Sequence, residues 1–154
     1  MASFLPQLGP KSVLHRNRFP HFADTVLRGS SMCYRMSRVH RLLTDLCEDI
    51  ERQIKPNLRG SMGNLVQGYL PQVWVFETEC GACTLFLDTE GNARVFPGVD
   101  RDVDVTIHWR KDALESTLAS RNRDSVSAGD YPDVTVHTDK GRAAFSYLKK
   151  EIGL

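Results

Sequence analysis

The strongest constraint on the fold is a change of period along the chain. From Val39 to Ile54 apolar residues recur at helical spacing, whereas from Val73 to His108 they alternate residue by residue. A chain in that order packs a helix against a sheet, so its class is α+β. The helical stretch sets Val39, Leu42, Leu43, Leu46, Ile50 and Ile54 on one stripe, with Arg, Asp and Glu opposite. Ser37 is placed to cap it, Glu51 stands four residues before Lys55, and Pro56 and Gly60 should end it after about 18 residues. Gly60, Gly63, Gly68 and Pro71 then predict a loop with a short helical turn near Val66.

The strands come next. VWVFETE at residues 73–79 puts Trp74 and Phe76 on one face and Val73 and Val75 on the other. CTLFLD at 83–88 follows across Cys80, Gly81 and Ala82, which predicts a hairpin. The turn residues DTEGN precede ARVFPG, and a second acidic turn precedes VDVTIHW. In the last run Val103, Val105 and Ile107 take the buried face and Asp104, Thr106 and His108 the wet one.

Ala113, Leu114, Leu118 and Ala119 predict a short helix, and residues 121–127 an exposed polar connection. DVTVHT at 133–138 reads as a fifth strand. Thr138 or Asp139 then caps a last helix that buries Ala144, Phe145 and Leu148, with Lys149 and Lys150 at its negative end. The expected architecture is a five-stranded, mostly antiparallel sheet covered by helices: a four-strand meander plus one later strand.

A chain of 154 residues has the size of one domain. Residues 1–36 carry five Lys or Arg against one acid, while 37–154 carry fifteen against eighteen. Three prolines break any period in that leader, so residues 1–35 are expected to be disordered or to lie upstream of a true start at Met32 or Met36, and 36–154 to form the domain. The net charge of +1, with a mildly acidic domain, argues against nucleic acid as a partner. No apolar stretch approaches the ~20 residues of a membrane span. Four cysteines are too sparse for a secreted disulfide scaffold, and a cytoplasmic protein with reduced thiols is expected.

Three constellations carry chemistry worth weighing. Cys80 and Cys83 have the spacing of half a zinc site or a redox pair, yet Cys33 and Cys47 do not complete a ligand set, and the motif joins two strands instead of opening a helix. His108 and His137 occupy equivalent points of two strands and can pair with Asp104 or Asp133, but exposed strand histidines are the simpler reading. Arg121 and Arg123 flank an acidic Asp124 and read as a solvated loop. The chain has no nucleophile elbow, phosphate-binding loop or H-E-x-x-H motif. No catalysis and no cofactor are expected.

VWVFE at Val73, LFLDTEGNARVFPG, DVDVTIHWRKDALESTLAS at Asp102, Val134-Thr135-Val136 and the small-residue-rich helix from Gly141 together resemble the sterol carrier protein 2 family. The chain departs from that family at residues 128–132, where Ala-Gly-Asp-Tyr-Pro replaces an S-G-K-L-K type loop, and in the polar tract 121–127. The resemblance implies a noncatalytic carrier that binds a lipid or other long apolar ligand between sheet and helices. The side chains it implies for the lining are Trp74, Phe76, Leu85, Leu87, Ile107, Leu114, Leu118, Phe145 and Leu148. Their periodicity marks burial, which a filled core satisfies equally. The alternative is therefore a small interaction module without ligand, whose sheet edge or first helix binds a partner or forms a homodimer.

Overall fold

Helix α1 (Ser37–Arg59) buries Val39, Leu43, Leu46, Cys47, Ile50 and Ile54, the stripe expected from the sequence. These residues recur every three or four positions, so one face meets the core. The computed structural model that shows this describes residues 36–61, 63–121 and 130–152. The leader with Cys33, together with Arg123 and nearly all of the polar tract after Arg121, lies outside those residues.

Helix α1 has 23 residues and runs through Pro56 to end at Gly60. Proline there removes one hydrogen bond in the last, exposed turn, where water can satisfy the freed carbonyl. At the other end Met36 occupies the cap position and Ser37 is the first helical residue. The short helix α2 (Gly63–Gln67) follows.

Strands β1 (Gln72–Thr78), β2 (Gly81–Leu87), β3 (Ala93–Pro97), β4 (Val105–His108) and β5 (Asp133–Val136) form one sheet in the order β3-β2-β1-β4-β5. Three neighbouring pairs are antiparallel and β1–β4 is parallel. The meander therefore covers three strands instead of four, and β4 crosses to the far side of β1. The reason lies in β1 itself, where Val73, Trp74, Val75 and Phe76 are all buried. A strand apolar on both faces belongs in the middle of a sheet and needs a neighbour on each side. The hairpin link is also shorter than expected: Glu79 and Cys80 alone join β1 to β2, with Gly81 at φ 142 as the first residue of β2.

Seven residues, 98 to 104, connect β3 to β4. They reach at most ~25 Å and must pass β2 and β1, about 14 Å of sheet. The Thr84 hydroxyl donates to the carbonyl of Gly98 at 2.7 Å. Thr84 pairs with Val75, so both lie on the face turned away from Trp74 and Phe76. The crossover thus runs over that second face, which accounts for the burial of Val73, Val75 and Thr84 there.

The first face carries the main core. Helices α1, α3 (Lys111–Ser120) and α4 (Asp139–Ile152) all contribute to it, and the β3 flank is tied to α1 by Glu51, which accepts the Ala93 N–H at 2.8 Å. The bond from Lys55 and then that N–H hold the Glu51 carboxyl below its ordinary range. Its stabilising effect is present above the unfolded carboxyl pKa of ~4.3 and is lost as pH falls through the lower folded value. Glu51→Gln should cost about 0.5–1 kcal/mol at neutral pH, since the group is partly solvated. In urea titrations the gap should shrink as pH falls below the ordinary carboxylate range; a gap independent of pH would show that charge is not what ties α1 to β3.

Candidate functional site

Register decides which side chains share the apolar layer. Trp74 pairs with Leu85 on one side and Val105 on the other, Phe76 pairs with Cys83 and Ile107, and Gln72 pairs with Leu87. Paired residues point to the same face, so Trp74, Phe76, Leu85, Leu87 and Ile107 form one surface. Helix α3 lays Leu114 and Leu118 on it, one turn apart, and α4 adds Phe145 and Leu148. All nine residues named from the sequence meet in this layer. Eight are at most 4% exposed and Phe145 is partly buried.

Phe145 is the member that reaches the surface. Its ring lies 5.8 Å from that of Trp74 at an interplanar angle of 39°. The indole N–H of Trp74 donates to Gln72 Oε1 at 3.0 Å, and the Gln72 amide donates in turn to the Tyr69 carbonyl. Gln72 is itself buried, so this chain of bonds satisfies its polar atoms and fixes the indole. On the same face Val134 and Val136 pair with Ile107 and Val105. The β4 partners are fully buried while the two β5 valines are only half-buried. Partly buried apolar residues fringe the layer at β5 and α4, through Val134 and Phe145, and also at α1 and β3, through Leu42, Leu58 and Val95.

Asp104 departs from the sequence expectation. Alternation places it on the wet face, yet it is 1% exposed. Its Oδ2 accepts the Val73 N–H at 2.9 Å and lies 3.2 Å from Lys140 Nζ, while its Oδ1 accepts the Thr138 hydroxyl at 2.6 Å. Thr138 Oγ1 accepts the Gly141 N–H at 3.0 Å, which makes it the N-cap of α4, as the sequence predicts. A Cβ on Gly141 would stand 2.6 Å from the Asp104 carbonyl oxygen, so glycine lets the first turn of α4 rest on β4. Asp104, Gln72 and Val105 were not in the expected lining. Gln72 and Asp104 are polar residues at strand starts; Gln72 is held by its neighbours Tyr69 and Trp74, Asp104 by partners more than thirty positions away.

Of the remaining constellations, the cysteines border this layer and the histidines lie on the other face. Cys80 stands in the β1–β2 turn, Cys83 is buried opposite Phe76, and neither they nor Cys47 forms a disulfide. Burial, and then the nearby Glu51 charge, pushes the Cys47 thiol up to about 12, which makes it a poor nucleophile at neutral pH. His108 is exposed on the second face, paired across the sheet with Asp133 and Glu77. His137 Nε2 lies 2.9 Å from Thr106 Oγ1. Asp104 faces neither histidine with its carboxylate. Arg121 stands 3.5 Å from Asp49. Asp130, from the segment that departs from the family pattern, binds the Arg110 guanidinium and the Trp109 indole N–H. Among the described residues no group of three His, Cys, Asp or Glu is placed to hold a metal ion, and no helix is long and apolar enough to cross a membrane.

No family model matches the chain, and no curated protein matches it. Among solved structures it is similar to one titled "UbiJ-SCP2 Ubiquinone synthesis protein", with a TM-score of 0.43 and 14% identity over 77% of this chain and 96% of that one.

Proposed function

We propose that this chain is a noncatalytic module that holds a long apolar ligand of lipid type between the sheet and α4. The observation that carries the reading is the half-buried apolar fringe of the layer at β5 and α4, beside the Trp74 ring. Phe145, Val134 and Val136 stay half-buried beside a fully buried Trp74, and so give the interior an apolar route to the surface. An acyl chain entering there gains about 0.8 kcal/mol for each methylene it buries. The first turn of α4 is anchored on Asp104, so the seam opens by movement of the later turns that carry Phe145 and Leu148. The sequence resemblance to sterol carriers supports the same ligand class. His108 and His137 lie on the opposite, wet face, which favours binding over catalysis at this layer. The reduced thiols accord with a cytoplasmic setting.

Native mass spectrometry of the full 154-residue chain, before and after organic extraction and with added fatty acids, tests this. The expected result is an acyl-sized adduct, weakened about tenfold by Phe145→Glu, because a carboxylate in the seam opposes an apolar chain. A clean apo mass that also refuses every added fatty acid would sink the carrier reading and leave the interaction module.

A further inference from the structure

The sheet has two edges, and they differ in what they offer. At β3 the Ala93 N–H is taken by Glu51 and the strand ends in Pro97, two devices that blunt an edge. Strand β5 has neither proline nor lysine, and within the sheet it is bonded only to β4.

The hydrogen-bond parity of β5 follows from one contact. His137 donates its N–H to the Asp104 carbonyl at 2.8 Å, and antiparallel pairing alternates from there. The backbone groups of Asp133, Thr135 and His137 therefore point at β4, while the N–H and C=O of Val134 and Val136 point outward. The side chains of Val134 and Val136 share the face of Val105 and Ile107, and those of Asp133, Thr135 and His137 share the other.

The run Asp133-Val134-Thr135-Val136-His137 is complementary to its own reverse. A two-fold axis through Thr135 sets Val134 opposite Val136 of a second copy, twice. Those are the residues whose backbone groups are directed outward, so the pairing makes four N–H···O bonds. The same axis sets Asp133 opposite His137 of the second copy, also twice, in non-hydrogen-bonded positions where side chains approach most closely. Thr135 meets Thr135. Centring the axis on Val134 sets Asp133 opposite Thr135, and centring it on Val136 sets His137 opposite Thr135, so both registers lose the Asp133–His137 pairs.

We propose that the β5 edge binds a second copy of this chain, antiparallel and centred on Thr135, to give a continuous ten-stranded sheet. The pairing is isologous, as a closed dimer requires. It does not depend on the apolar-ligand reading.

Sedimentation velocity of the full chain over a range of concentrations tests it. The expected result is a dimer that dissociates on dilution. Val134→Pro removes two outward donors without touching the β4 ladder and should give a monomer with an unchanged circular dichroism spectrum. Asp133→Lys removes the acceptor opposite His137 and should weaken the dimer about tenfold, while adding His137→Asp to it sets opposite charges across the seam and restores the affinity. A wild-type chain that stays monomeric at all concentrations would overturn the proposal, as would a dimer that neither Val134→Pro nor Asp133→Lys weakens.

Discussion

Asp104→Ala is expected to remove about 3–5 kcal/mol of stability, the largest effect of any single polar substitution in this chain. The carboxylate is buried and satisfied from three directions: the β1 backbone at Val73, the α4 cap at Thr138, and the ammonium of Lys140. Deleting it leaves a buried N–H without an acceptor and a cation without its counter-charge. It also frees the hydroxyl that orients the first turn of α4. Lys140→Met should also cost stability, because the buried Asp104 carboxylate keeps its two hydrogen bonds but loses its counter-charge. Equilibrium urea denaturation of the two variants beside the parent measures the difference. Equal, small losses would mean that Asp104 is solvated and does not join β1, β4 and α4.

A comparable loss, about 3–5 kcal/mol, is expected for Trp74→Ala. The indole is 1% exposed at the centre of the layer, packed on the Phe145 ring, with its N–H spent on Gln72. Alanine opens a large void and strands the Gln72 carbonyl oxygen. Trp74→Phe fills most of the void but still loses that bond, and should cost about 1–3 kcal/mol. Thermal melts followed by circular dichroism rank the three proteins. A loss below ~1 kcal/mol for alanine would show that the indole is not held in a packed layer.

The same two residues mark the boundary between what was legible in the sequence and what was not. Trp74, Phe76, Leu85, Leu87 and Ile107 could be assigned to one face because a strand turns its side chains over at every step, a local rule that needs no knowledge of neighbours. The stripe of α1 and the capping of α4 at Thr138 or Asp139 were equally local. All nine lining candidates consequently met in one layer.

Period reports the face a residue occupies, and says nothing of what covers that face. Asp104 alternates as a wet residue should, but its carboxylate is enclosed by Val73 and by Thr138 and Lys140, residues more than thirty positions away in either direction. The crossing of β4 to the far flank of β1 was hidden for the same reason. Strand order is set by which pairing buries both faces of β1, while the seven-residue link alone is compatible with either neighbour. By itself the sequence determined the elements, their faces and the apolar layer. Strand order, the burial of Asp104 and the partial exposure of Phe145 were decided by tertiary structure, because each depends on contacts between segments that no local pattern connects.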